Sequence, residues 1–444
     1  MLKRKMTDTL LDWKNDPQRK SLMVIGARQV GKTFTISDFG KENYRSYIYI
    51  NFEENPSLQS IFSGNKNIDM IMQRMSVEFP DVDFIPKDTL IFLDEIQNCP
   101  DARVALKFFT IDGRYDVIAS GSLLGVRYRE VSSYPVGYET TLDMHSLDFE
   151  EFLWARGIKT EMVDMVKGSL ANKEPLDDYV LERFNAHHRE YMIVGGMPEV
   201  VMTFNETNHF GKVLKAQRQI VNGYMDDATK YAKPSDKGRV RSTFRSIPVQ
   251  LAKRNKKFVY SDVDGDVKGW SNVFGGSLSW LYDAGIIRYC FNLSEPALPL
   301  AQNTRENSFK IYMRDTGLLM SMMEDGISSA ILNEDVFVNE GAIVENVTAD
   351  MLVKSGFELT YFERKGTLEI DFILNINGIV TAIEVKSGNN KQSKSLDSIK
   401  DRYGVNRRIK LERTNVHVDE DDIEHYPLFA SAFLREMNNR SRIE

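Results

Sequence analysis

An apolar run, Leu22-Met23-Val24-Ile25, leads straight into Gly26-Ala27-Arg28-Gln29-Val30-Gly31-Lys32-Thr33, which has the spacing G-x4-G-K-[ST]. No other feature restricts the fold so narrowly, because the pattern works as a buried strand, a glycine turn and the first turn of a helix. The glycines let the backbone curl until its amide groups point at phosphate oxygens. Lys32 adds charge near the β- and γ-phosphates, and the Thr33 hydroxyl can ligate Mg2+. Gly26, Arg28, Gly31, Lys32 and Thr33 are therefore the expected contacts to a nucleoside triphosphate.

A second strand supports that reading. Thr89-Leu90-Ile91-Phe92-Leu93 is apolar and delivers Asp94 and Glu95 at its C-terminal end, about sixty residues after the glycine turn. Asp94 would hold the magnesium shell, and Glu95 would orient and deprotonate an attacking water. A third run, Val117-Ile118-Ala119-Ser120-Gly121-Ser122, ends in hydroxyls, so Ser120 or Ser122 can sense the γ-phosphate. An ordinary strand-to-loop turn explains that segment equally well. Together with YIYINF, these runs alternate with helical stretches over residues 1–155, which predicts an α/β domain with a parallel sheet. The ligand would lie at the strands' C-terminal ends, with Glu53 at the rim.

The C-terminal region carries a different signal. In Ile370 to Ser387, Asn377-Gly378 separates two apolar, partly alternating runs, the pattern of a two-residue hairpin. That register sets Ile376 against Ile379 and Asp371 against Glu384, with Lys386 on the face of Glu384. Opposed like charges cost up to about 1 kcal/mol, which a divalent cation or a nearby ammonium group would remove. An Asp followed by Glu-x-Lys suggests a metal-dependent phosphodiesterase centre; solvated charges on a surface hairpin are the plainer alternative. Farther upstream, Val344, Val347 and Met351 form a helical apolar stripe that Glu345 flanks. If that helix packs on the hairpin's sheet, Mg2+ or Mn2+ would bind Asp371 and Glu384, Glu345 would complete the site, and Lys386 would assist the chemistry.

Between these ends, residues 156–236 read as helical and 237–300 as a winged-helix arrangement, leaving 301–444 for the last domain. The second helix of the winged segment has no Lys or Arg, so Lys253-Arg254-Asn255-Lys256-Lys257 is the part able to grip phosphate. Net charge is −7 over 444 residues, but Lys386 to Arg413 holds nine Lys or Arg against three Asp or Glu. That basic apron either neutralises phosphate or is a solvated helix face. No apolar run approaches the roughly eighteen residues that cross a bilayer, and the N-terminus lacks the apolar stretch of a signal peptide. Cys99 and Cys290 are the sole cysteines, which fits a reducing cytoplasm and excludes a disulfide framework.

The stretches GARQVGKT, IFLDEIQ, ASGSLLG, HSLDFEEFL, YMIVGGMPEV, FKIYMRDTGLL, GAIVENVTADML and IDFIL…AIEVKSG occur in an order that resembles a family. It is the bacterial and archaeal AAA-type ATPases that carry a C-terminal nuclease-like domain. The resemblance implies an AAA-like core, a helical and winged-helix middle, and an α/β restriction-endonuclease-like fold of the PD-(D/E)xK type. Lys32, Thr33, Asp94 and Glu95 fall on its ATPase motifs, and Glu345, Asp371, Glu384 and Lys386 on its nuclease-like motifs. ATP and Mg2+ are the implied cofactors, DNA or RNA the implied partner, and a homo-oligomer a form such ATPases adopt. Where members of the family usually show Gly-Arg, this chain has Gly137-Tyr138, so no arginine finger carries over. Arg127 and Arg129 are substitutes between which nothing chooses. Two readings follow: an ATPase controlling a nuclease, or a regulatory ATPase whose terminal domain binds protein or DNA without cutting.

Overall fold

The computed structural model describes residues 2–123, 137–231, 236–253, 256–263, 270–333, 340–364, 367–388 and 393–439. Arg127, Arg129 and Arg254 lie outside these residues. The chain divides into two units, residues 1–146 with 283–285, and residues 147–282 with 286–444. No helix among the described residues is long and apolar enough to cross a membrane.

In the first unit the strands β1 (Ser21–Gly26), β2 (Ser46–Asn51), β3 (Thr89–Asp94), β4 (Asp116–Ser122) and β5 (Glu139–Asp143) form one sheet in the order β2-β3-β4-β1-β5. All its ladders are parallel. The helices α1 (Lys5–Asn15), α2 (Lys32–Asn43), α3 (Ile68–Glu78) and α4 (Pro100–Asp112) accompany it. The central strands β3 and β4 are buried along their whole length, which is why each has an apolar stretch, residues 90–93 and 117–119. β5 is an edge strand with no buried residue, and its sequence ETTLD gives no apolar run to read. Since β4 lies between β1 and β3, the sheet brings the ends of all three together at one edge.

The second unit opens with helices α5 (Phe149–Ala155), α6 (Thr160–Asn172), α7 (Asp178–Val194), α8 (Pro198–Thr207) and α9 (Phe210–Tyr231). Asp148 starts α5 with a reciprocal capping box to Glu151, satisfying two backbone donors at once. Then come α10 (Lys237–Leu251), α11 (Trp270–Asp283) and the antiparallel pair β6 (Ile287–Leu293) and β7 (Thr304–Met313). After α12 (Thr316–Ser321), α13 (Ile327–Leu332) and α14 (Gly341–Lys354), the strands β8 (Thr360–Arg364) and β9 (Leu368–Ile370) complete a sheet ordered β7-β6-β8-β9. That sheet therefore joins strands from both sides of residue 300.

The last sheet is mixed. It contains β10 (Phe372–Ile376), β11 (Ile379–Val385), β12 (Arg407–Glu412), β13 (His417–Val418) and β14 (Glu424–Pro427) in the order β10-β11-β12-β14-β13, with α15 (Lys394–Tyr403) linking β11 to β12 and α16 (Leu434–Asn439) last. The hairpin has the predicted register, Ile376 opposite Ile379 and Phe372 opposite Ile383. Asn377 and Gly378 both have positive φ, 54° and 85°, as the tight turn requires. That register ends at Phe372, and Asp371 lies just beyond it, at the single residue where the chain leaves one sheet and enters the other.

Glycines hold the helical part to this frame. A Cβ on Gly196 would lie 2.0 Å from the Leu147 carbonyl oxygen, and one on Gly317 would lie 2.3 Å from that of Val194. The Asp315 carboxylate accepts from the Gly196 amide at 2.8 Å and from the Leu318 amide at 3.3 Å. Lys354 on α14 donates to Leu147 O, the Tyr191 hydroxyl and Asp350. Gly196→Ala must separate backbone from backbone, so we expect it to destabilise this unit by about 1–3 kcal/mol, read as a lower urea midpoint at unchanged slope.

Candidate functional site

The glycine turn follows β1 and ends at Gly31, whose φ of 97° places it in the left-handed conformation as the N-cap of α2. Gln29 also has positive φ, 62°, so the turn alternates hand and its amides face inward. Gly26 has a different reason to be glycine: a Cβ there would lie 2.4 Å from the Met144 carbonyl oxygen. Arg4 pins the turn from outside, donating to Val30 O at 2.9 Å. The Lys32 ammonium is buried and donates to Ala27 O at 2.8 Å and Gly26 O at 3.1 Å. Burial lowers its pKa to about 8 against the opposing pull of Glu95 and Asp94, and Arg28 lowers it further.

Thr33 Oγ1 donates to Asp94 Oδ2 at 2.7 Å, joining the start of α2 to the end of β3. Tyr49 donates to the same oxygen at 3.1 Å, while Ser120 hydrogen-bonds Asp94 Oδ1. Ser120 thus holds the carboxylate, and Ser122 sits beside Gly26 in the strand register. Glu95 occupies a left-handed backbone with φ 52°, unfavourable for a non-glycine residue and held here by its surroundings. Its carboxylate accepts from the Gln97 amide, and burial followed by the Asp94 charge raises its pKa. Asn51 caps the turn after β2 through the Glu53 amide at 2.9 Å, and the Glu53 side chain is exposed. Two hard oxygen donors on Thr33 and Asp94, with an ammonium paired to carbonyls, fit Mg2+ and a triphosphate.

The second constellation surrounds Glu345. α14 is buried on nearly all sides, not along one stripe, and it delivers Glu345 beneath β7. Glu345 Oε1 accepts from Lys310 Nζ at 3.1 Å and from the Tyr312 hydroxyl, and Oε2 accepts from Lys256. Lys310, only 1 % exposed, also lies 3.1 Å from Glu369 and 4.0 Å from Asp371. Asp371 Oδ2 accepts from the Val385 amide at 2.9 Å. Glu384 Oε1 pairs with Lys386 at 2.5 Å, while its buried Oε2 has no hydrogen-bond partner. Burial would raise the Glu345 pKa, yet Lys310 and Lys256 outweigh it and hold the group at about 2. Burial and the Glu345 charge push Asp371 up to about 6.

Residues 18–153 match the family model of an AAA domain. The N-terminal unit is an AAA-type ATPase domain. Residues 185–329 match a domain of unknown function, DUF8612, and 340–429 match another, DUF4143. No curated protein matches the chain. Among solved structures, Orc1 of Aeropyrum pernix in complex with DNA is similar at 12 % identity and TM-score 0.28, over 75 % of this chain and 91 % of that one. Drosophila ORC bound to DNA gives 14 % and 0.29 over 68 % and 89 %, and Cdc6p of Pyrobaculum aerophilum 13 % and 0.26 over 74 % and 93 %. These values are too low to extend the assignment beyond the AAA domain.

In the AAA domain the structure brings Lys32, Thr33, Asp94, Glu95, Ser120 and Ser122 to the C-terminal ends of β1, β3 and β4, with Ser120 bonded to Asp94, and Tyr49, Gln97 and Arg4 join them unforeseen. Bound Mg2+ would supply positive charge to the phosphate oxygens at Thr33 and Asp94. In that arrangement Lys32 would neutralise phosphate charge from inside the loop, and Glu95 would take the proton of an attacking water. Tyr138, in place of the usual arginine, offers its carbonyl to Thr110 at 2.7 Å and its ring to Lys107.

The C-terminal domain of this ATPase brings Asp371, Glu384 and Lys386 together, with Glu345 beside them but tied to Lys310, Tyr312 and Lys256. Among the described residues, no group of three or more His, Cys, Asp or Glu is placed to hold a metal ion. Much of the basic apron is also spent internally. Lys386 pairs with Glu384, Arg407 with Glu424, Arg408 with Asp397, Lys410 with Glu412 and Arg413 with Glu340. Sequence reading missed Lys310 and Tyr312, although two polar groups inside the apolar strand FKIYM signalled a buried partner.

Proposed function

We propose that the protein is a regulatory ATPase whose C-terminal domain is a binding platform and does not cleave. The observation that carries this reading is Lys310. A phosphodiesterase centre at Asp371 and Glu384 needs a divalent cation to gather charge there. Here a buried ammonium already supplies it, between Glu345, Glu369 and Asp371. The three carboxylates raise the Lys310 pKa against burial, so the charge is permanent at any ordinary pH. The remaining carboxylate, Glu384, is buried and already neutralised by Lys386.

In this reading the terminal domain is restriction-endonuclease-like in build, residues 237–300 are winged-helix-like, and ATP turnover sets the state of the platform. The protein would work in the cytoplasm, and its AAA domains would meet as homo-oligomers. Full-length protein incubated with labelled DNA or RNA, Mg2+ or Mn2+, and ATP is expected to leave every substrate intact on a denaturing gel. Cleavage that disappears in Asp371→Ala would overturn the proposal and return the domain to the nucleases.

A further inference from the structure

The helix α10 is two-sided. Val240, Phe244, Ile247 and Leu251 are buried in the second unit, while Lys237, Arg241 and Arg245 stand on the exposed side. These three recur every fourth residue, so they rise one turn at a time along one face. The segment from Lys237 to Lys253 holds five Lys or Arg and no Asp or Glu, in a chain of net charge −7. Among the described residues, Lys237 and Arg245 pair with no carboxylate, and Arg241 reaches Asp226 only at 3.9 Å. Arg239 and Lys253 pair with Asp236 and Asp262 at exposed positions, where such pairs exchange readily.

We infer that the exposed face of α10 binds the phosphate backbone of nucleic acid, through Lys237, Arg241 and Arg245. The row spans about 12 Å, enough for three to four successive phosphates of one strand. Arginine suits the task because its fork meets phosphate oxygens in pairs. A lipid surface fits poorly: a membrane-binding helix must offer its apolar face, and here that face is the unit's own interior. An acidic protein partner would want aromatic anchors, and the row has none, Val249 being the one large apolar side chain exposed on it. Backbone contacts position a duplex without reading its bases, so the binding is indifferent to sequence.

This puts a nucleic-acid surface on residues 237–300, beside the non-cleaving platform, and rests on that reading only in requiring the bound nucleic acid to stay whole. The test uses full-length protein and a fluorescein-labelled 24-base-pair duplex, with binding followed by anisotropy between 50 and 200 mM salt. Lys237→Ala/Arg241→Ala/Arg245→Ala should flatten the logarithmic salt slope by about 2.7, so wild type loses about 40-fold more affinity across that range than the variant. Arg241→Lys/Arg245→Lys should keep the slope, which separates lost charge from lost structure. ATP turnover should be unchanged in both, since the AAA domain does not use these residues. The inference is overturned if the triple variant keeps the wild-type slope. It also fails if Lys394→Ala/Lys400→Ala/Arg402→Ala on α15 removes the same slope, or if phosphatidylserine vesicles bind in place of the duplex. The same samples run on a denaturing gel show whether the duplex is cut, which would sink the non-cleaving reading and leave the α10 surface standing.

Discussion

Glu95→Gln is expected to slow ATP hydrolysis by about 10²- to 10⁴-fold while nucleotide affinity changes little. Glutamine keeps the length of the side chain and the polar contact to Gln97, but it cannot accept the proton of the attacking water. Lys32→Ala should fail earlier, at binding, because it removes the one charge buried inside the loop. Phosphate release under saturating ATP, together with titration of a fluorescent nucleotide, separates the two defects. Turnover should also depend on pH in a set direction. Burial and Asp94 raise the Glu95 pKa, so the acid limb of the profile lies above that of an ordinary carboxylate, and activity rises with pH through it. Equal rates in wild type and both variants would remove Lys32 and Glu95 from the chemistry.

The parts of this site that could be read in advance are the local ones. A glycine turn, its lysine and threonine occupy eight consecutive residues, and Asp94-Glu95 close an apolar strand. The hairpin at Asn377-Gly378 was equally legible, because a two-residue turn fixes the pairing of every residue outward from it. What escaped depends on long closures. Lys310 meets Glu345 across 35 positions and Lys256 meets it across 89, and no periodicity links them. β5 escaped for the opposite reason, since a polar edge strand lacks the apolar run that betrays its neighbours. The glycine pair at Gly195-Gly196 carries no signal that periodicity can read. Its purpose is visible only once Leu147 and Asp315 are seen pressed against it.

Lys310→Met is expected to lower stability by about 3–5 kcal/mol, because Glu345 stays buried with one of its two ammonium partners gone. Adding Glu345→Gln to that variant should recover much of the loss, since it removes the uncompensated charge as well. Acid titration gives an independent reading of the same contact. The folded state holds Glu345 at about 2, below its ordinary 4.5, so its contribution is complete above 4.5 and fades as pH falls from there through 2. Unfolding curves should therefore converge for wild type and Lys310→Met as pH drops through that window. The substitution also removes the ammonium that stands beside Asp371, leaving that carboxylate and Glu384 to a cation. Mn2+ should then raise the thermal midpoint of Lys310→Met and leave that of wild type in place. An equal rise in both would mean that a cation binds despite the lysine, and the platform reading would yield to catalysis.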